Sequence, residues 1–477
     1  GDRSGSGAGV DRRHRPRDLH HARGRREGGG SRHPPRRLCA LEARSGGSGA
    51  DPRDHAHGGR PRGDARRADG RDAVKYVDEF RDGERARVLA DAIAREVEPG
   101  RHYRFMEFCG GHTHAIFRYG VQDLLPDGIE MVHGPGCPVC VLPTGRLDMA
   151  IELAIDHPQV ILCSYGDMLR VPGSGGRSLL QAKAEGADVR MVYSVADALA
   201  LARSEPEREV VFFGIGFETT TPPTALGIAA ARREGLGNFS VFCNHVLTPA
   251  AMRAILHLPA AADEAVATVP IDGFVGPSHV SIVIGSDAYA FCPADYDKPV
   301  VIAGFEPLDV LQSILMLVRQ VNEGRADIEN QYVRAVTASG NERARQLCEE
   351  VFELREAFEW RGLGDIPASA LAIREAFAEF DAERRFTMAP RRADGTRSCE
   401  CPAILRGQKK PVDCRLFATS CRPETPLGAC MVSDEGACAA YYHYGRFREE
   451  AEQRQAQRLA ARRERRARRE EVGHEPA

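Results

Sequence analysis

Apolar positions along this chain keep no rhythm at first and then settle into two alternating ones. Residues 1 to about 72 are rich in Arg, Gly, Asp and His and nearly empty of aliphatic side chains. They show neither the strand period nor the helix period. Such text cannot bury enough apolar surface to offset the entropy of ordering it. Residues 1–73 are therefore expected to be a disordered or mis-assigned N-terminal extension. Globular text begins with Val74-Lys75-Tyr76-Val77-Asp78-Glu79-Phe80. A helical pattern over 84–98 is followed by a short apolar run, 103–108. Further strand-like runs fall at 129–132, 160–164, 189–193, 210–215, 239–243, 273–275 and 300–303. Between several of them lie Ala- and Leu-rich stretches of helical period, at 146–155, 195–203, 225–233 and 307–321. Strands alternating with helices predict parallel sheets with right-handed crossovers. The length suffices for two such units, expected to divide near residue 180.

After these units the texture changes twice. Leu347, Val351, Leu354 and Phe358 follow helical spacing, so 340–390 reads as amphipathic helices. From Ser398 to Tyr444 six cysteines stand among prolines and glycines with little periodicity. This predicts a small domain held by something other than an apolar core. The tail, 446–477, reads as a polar, solvated helix. The expected fold is thus α/β: two similar parallel-sheet domains (74–180 and 181–335) facing across a cleft, then a helical and Cys-rich domain over 336–445.

Composition narrows the chemistry. A net charge of −3 gives no case for nucleic acid or a membrane surface as main partner. No apolar run reaches the roughly 18 residues of a membrane span, and the start lacks the apolar core of an export signal. The cytoplasm is the expected compartment. The 14 cysteines are accordingly read as reduced thiols and metal ligands rather than a disulfide framework.

In open parallel sheets ligands bind beyond the carboxyl ends of the strands, and the unusual residues of this chain cluster there. One strand runs into Cys109-Gly110-Gly111-His112-Thr113-His114. Another runs into His133 and the turn Gly134-Pro135-Gly136-Cys137-Pro138-Val139-Cys140. Others lead to Tyr165-Gly166-Asp167, to Gly216-Phe217-Glu218-Thr219-Thr220, to Asn244-His245 and to Gly276-Pro277-Ser278-His279-Val280. The Cys137/Cys140 pair can close a disulfide, share a metal or tune one thiol through the other. Helix dipoles at these loops are expected to favour thiolate at Cys109 and Cys137. Glu218 is either a first-turn helix charge or an acid–base group. Cys163, Cys243, Cys292 and Cys348 sit in apolar text and read as core cysteines. Nothing resembles a phosphate-binding loop. At the C-terminal end, Cys399, Cys401, Cys414, Cys421, Cys430 and Cys438 are spaced too widely for paired zinc ligands. That spacing suits a 4Fe-4S cluster drawing thiolates from separate loops, with two cysteines to spare.

Five motifs, in order, resemble the hydrogenase maturation factor HypD family: Cys109–His114, Gly134–Cys140, Gly216–Thr220, Pro277–Ser281 and Gly428–Gly436. The resemblance runs from about Lys75 to Gly445. It implies two similar α/β domains plus a cluster domain, and a role in building the Fe(CN)2CO unit of nickel–iron hydrogenases. It implies a complex with a small HypC-type chaperone, and cyanide delivered by a HypE-type partner as a thiocyanate. By this resemblance Cys109 is the iron-site thiol and Cys137/Cys140 the redox pair. Cys399, Cys414, Cys421 and Cys438 are the cluster ligands, with Cys401 the rival of Cys399 and Cys430 the spare. Mononuclear iron carrying cyanide and carbon monoxide is transient cargo. Electrons are expected to pass from the cluster to the thiol pair, with His112, His114 and Glu218 orienting ligands or moving protons. The rival readings are an iron–sulfur thiol-disulfide oxidoreductase and a scaffold that only docks partners.

Overall fold

The computed structural model describes residues 78–257, 270–389, 392–393, 398–444 and 457; the expectations for 1–73 and, but for residue 457, for 446–477 lie outside them. Nine strands form two parallel sheets. In chain order they are β1 (Tyr103–Glu107), β2 (Ile129–His133), β3 (Val160–Ser164), β4 (Val189–Met191) and β5 (Glu209–Gly216), then β6 (Phe239–His245), β7 (Gly273–Gly276), β8 (Val300–Ile302) and β9 (Ile328–Asn330). The first sheet has the order β2-β1-β7-β8-β9 and the second β4-β3-β5-β6. Every pair in both sheets is parallel. The central strands are almost wholly buried, as runs of Val, Ile and Phe covered by helices on both faces must be.

The alternation of strand and helix is as expected, but a division at residue 180 is not. The chain builds β1 and β2, leaves to complete the whole second sheet from β3 to β6, and returns with β7 to finish the first. Periodicity marks crossover units; it does not say which sheet a returning strand joins. Helices 83–96 and 307–322 cover the first sheet together. The former is capped by Asp82, whose carboxylate accepts the Glu84 and Arg85 N–H groups, and buries Ala86, Ala90 and Ile93.

The expectation of helices over 340–390 is corrected. Only Glu342–Val351 is a helix of that kind. It is followed by β10 (Phe352–Leu354), β11 (Ala357–Trp360), β12 (Gly364–Pro367) and β13 (Leu371–Ile373), paired antiparallel as β10–β13 and β11–β12. Leu354, which fits the helical spacing, is exposed, whereas Phe358 and Trp360 alternate inward on β11. Period-2 burial of aromatic residues won over a four-residue coincidence. This segment packs on the second sheet, with Val351, Phe352, Leu371 and Ile373 joining that core. The Cys-rich piece instead leans on the first sheet, through helix Ala437–His443 against helix Gly110–Arg118 and Lys410 paired with Glu130. The expected single domain over 336–445 therefore serves two different sheets.

Candidate functional site

Both sheets have a switch point, where successive strands depart in opposite directions and ligands collect. In the first sheet it lies between β1 and β7, the strands that lead to Cys109 and to Ser278. Cys109 is the extended residue preceding helix Gly110–Arg118 and is half-buried. The Gly134–Gly136 turn crosses directly over it: a Cβ on Gly136 would stand 2.5 Å from the Cys109 nitrogen, so only glycine fits. Glu435, from the Cys-rich segment, packs on the adjacent Gly110.

Beneath Cys109 a buried carboxylate is fully engaged. Glu107 accepts hydrogen bonds from the Cys109 N–H (3.0 Å), from the Thr113 hydroxyl and from His133 Nδ1 (2.8 Å). His133 Nε2 lies 3.3 Å from the Tyr441 hydroxyl. A polar chain thus joins the Cys109 loop to the helix that carries Cys438. Burial and the negative charges of Glu435 and Glu107 push the Cys109 thiol well above the ordinary range, outweighing the helix N–H groups of Gly111 and His112. The dipole-stabilised thiolate expected at Cys109 is thereby corrected: here desolvation and two carboxylates exceed the dipole. Glu435 keeps surface exposure, and partial desolvation followed by the charges of Asp167 and Glu107 pushes its carboxyl up.

The two histidines of the first motif part company. His112 is fully buried, with Nε2 3.2 Å and 3.1 Å from the Ala303 and Gly304 carbonyls and 3.1 Å from Ser278 Oγ. Two carbonyl acceptors place the proton on Nε2, and Nδ1 keeps a bare lone pair with no partner among the described residues. Burial lowers this imidazole's pKa, so it is neutral. His114 turns instead to the Tyr444 hydroxyl, 3.1 Å away. The His279 ring packs at a tilt against Phe305, whose ring also meets His112. Glu218 is not drawn into the Cys109 loops. It accepts the Thr248 N–H (2.9 Å) and hydroxyl (3.0 Å) and lines a separate cavity of about 320 Å³ with Cys348 and Phe352. Burial pushes its carboxyl up to about 7.

Cys137 caps the four-residue helix Pro138–Val141, and both thiols of the pair are buried, their sulfurs 2.6 Å apart. Cys140 also contacts Cys430, which in turn contacts Cys401. Hydrogen bonds from the Cys140 and Cys401 thiols hold Cys430 below the ordinary thiol range, while burial and its neighbours push Cys140 above it. Cys401 touches Cys399 and Cys438 as well. The two cysteines that the sequence left over are therefore the ones linking the pair to the rest. Cys399, Cys401, Cys414, Cys421 and Cys438 share one small cavity walled by Ile404, Phe417 and Met431. Among the described residues no three His, Cys, Asp or Glu side chains converge as ligands of a single ion. Cys163, Cys243 and Cys292 are buried, as expected of core cysteines, whereas Cys348 is only part-buried and lines the Glu218 cavity.

Sequence reasoning passed over Glu107, His133 as a partner, and Glu435. Glu107 stands two residues before Cys109 and Glu435 inside a motif already noted, so proximity to the motifs was the available signal. Among the described residues no helix is long and apolar enough to cross a membrane.

Known proteins resemble this chain over most of its length. The HypD pattern, described as the hydrogenase formation hypA family, matches residues 84–445. The chain is 68% identical over 376 residues to the hydrogenase maturation factor HypD of Azotobacter vinelandii, covering 79% of this chain and 98% of that protein. It is 67% identical over 378 residues to the hydrogenase expression/formation protein HupD of Azotobacter chroococcum mcd 1, covering 79% and 99%. With HypD of Escherichia coli K12 it shares 47% over 383 residues, covering 79% and 100%. The chain belongs to the HypD family of hydrogenase maturation factors.

Proposed function

We propose that this hydrogenase maturation factor is a cytoplasmic scaffold on which the Fe(CN)2CO unit of a nickel–iron hydrogenase is assembled, with Cys109 as its iron-binding thiol. The observation that carries this reading is the charge around that sulfur. A half-buried thiol flanked by the buried Glu107 and the surface Glu435 is a poor free nucleophile, because its thiolate would be a third negative charge. A bound cation reverses that balance and makes the same three groups favourable. Soft thiolate suits low-spin iron carrying cyanide. The bare Nδ1 of His112, on the helix that Cys109 begins, is a second acceptor available to the cargo or its protons.

The Cys-rich segment fits a 4Fe-4S cluster. Its thiols line a common apolar cavity and come from separate loops, as the ligands of such a cluster do. Cys399, Cys414, Cys421 and Cys438 would hold the cluster, which supplies single electrons when bound. Cys401 and Cys430 provide the sulfur contacts toward Cys140. The Cys137/Cys140 disulfide needs two electrons and two protons to become the dithiol, and its burial keeps that exchange away from solvent oxidants. A HypC-type chaperone and a HypE-type cyanide donor are the proposed partners. The thiol trio Cys137, Cys140 and Cys430 favours one rival, a thiol-disulfide oxidoreductase.

Iron content separates the two. Anaerobically purified wild-type protein with its chaperone should hold more iron than one cluster accounts for, and Cys109→Ala should lose that excess while retaining the cluster. Equal iron in both proteins would overturn Cys109 as the iron-binding thiol and favour the oxidoreductase.

A further inference from the structure

The cavity that Glu218 lines takes no part in the proposed assembly of iron, yet it is built where elements from both sheets meet. Glu218 and Thr221 come from the segment that follows β5. Val283 and Ile284 end the helix Ser278–Ile284 that follows β7, and Cys348 and Phe352 come from helix Glu342–Val351 and β10. At about 320 Å³ the space admits a small molecule. Leu247, Ile284, Phe352 and Leu371 give it apolar walls, and Leu354 carries that surface out to solvent.

One buried charge faces this apolar space. The Glu218 carboxyl is 6% exposed, and its two oxygens each accept one hydrogen bond from Thr248. A carboxylate oxygen has two acceptor positions, so one on each remains. Among the described residues no cation pairs with it. The other charged groups of the lining are exposed and offset one another: Arg345 and Arg374 against Glu349 and Glu353. Glu218 therefore carries the net charge of the cavity. Its neighbour Cys348 is a neutral thiol, pushed up to about 12 by burial and then by Glu349 and Glu218. A buried carboxylate without a cation is costly in its ionised form, and burial accordingly holds this carboxyl up near 7. An ammonium group entering the cavity would supply the missing partner.

We propose that this cavity binds a small primary amine with an apolar body, its ammonium donating to Glu218 and its body lying along Phe352, Ile284 and Leu371. Apolar walls with a single buried polar anchor are how pockets of this size hold and orient such molecules. The site is separate from the Cys109 loops and does not depend on iron being held there.

Ligand-observed nuclear magnetic resonance on the full-length, anaerobically purified protein tests this, with benzylamine, benzyl alcohol and benzoate as probes of similar shape. Benzylamine should bind saturably at neutral pH. Benzyl alcohol, which can donate to Glu218 but brings no charge, should bind about tenfold more weakly, and benzoate not at all. Glu218→Gln should reduce benzylamine to the affinity of the alcohol. Benzoate or benzyl alcohol binding as tightly as benzylamine overturns the proposal, as does an absence of saturable benzylamine binding. Unchanged benzylamine affinity in Glu218→Gln overturns it too. Should that variant fail to fold, Cys348→Phe, which fills the cavity from its helix wall, decides: it should abolish binding, and wild-type affinity in it overturns the proposal.

Discussion

Cys109, Cys137 and Cys140 announce themselves through local chemistry, since glycines and prolines beside a thiol at a strand end are visible without any fold. Their partners are not. Glu435 reaches Cys109, Tyr441 reaches His133 and Arg361 reaches the end of the Cys140 helix only after hundreds of residues have folded between them. The sign of the Cys109 environment is hidden for the same reason: a helix N-terminus is legible in sequence, whereas the buried Glu107 and the surface Glu435 converging on it are not. Glu218, singled out from its motif, bonds to Thr248 rather than to the Cys109 loops. Burial raises its carboxyl from 4.5 to about 7. The folded state therefore holds this proton more tightly than the unfolded chain, and the stabilisation is complete below the unfolded value, near 4.5. It is lost as pH rises through about 7, by roughly 3 kcal/mol in all. Urea midpoints measured between pH 5 and 8 should fall with rising pH in the wild type, and Glu218→Gln should flatten that slope. A slope unaltered by the substitution would remove Glu218 as its source.

At the scale of elements, β1 to β8 are legible because Val, Ile and Phe runs bounded by Gly-rich loops have few other uses, whereas the edge strand β9, Ile328-Glu329-Asn330, has one apolar residue and went unread. Sheet membership is not legible, since a returning strand such as β7 carries no label for the sheet it rejoins. The antiparallel hairpins after Val351 were misread because Leu347, Val351, Leu354 and Phe358 match helical spacing by chance, while the buried alternation of Phe358 and Trp360 spans only one short strand. That strand matters beyond its length. Trp360 is fully buried against Phe217, and its indole N–H donates to Ser369 Oγ at 2.9 Å. It fixes the turn from which Arg361 extends. Trp360→Ala should cost about 3–5 kcal/mol, seen as a lower denaturant midpoint, and should lower cluster retention as the turn loosens. A loss below about 1 kcal/mol would show that the hairpin is held by other contacts.

Over the whole molecule, the Cys-rich segment acts as a stitch. It contacts the first sheet through Lys410–Glu130 and Tyr441–His133 and the second through Arg170, which donates to the Val432 carbonyl at 2.9 Å. It thereby brings Glu435 to Cys109 and Cys430 to Cys140 at once. The Cys109 loop, a thiol pair and a second cysteine group become one connected site, which is what the proposed assembly of a metal unit with reducing power requires. Infrared spectroscopy of the anaerobically purified complex with the small chaperone tests this account most directly. Wild-type protein should show the stretching bands of cyanide and carbon monoxide on iron, and Cys109→Ala should show none while its cluster absorption persists. Bands of undiminished intensity in Cys109→Ala would contradict the assignment of the iron to this thiol.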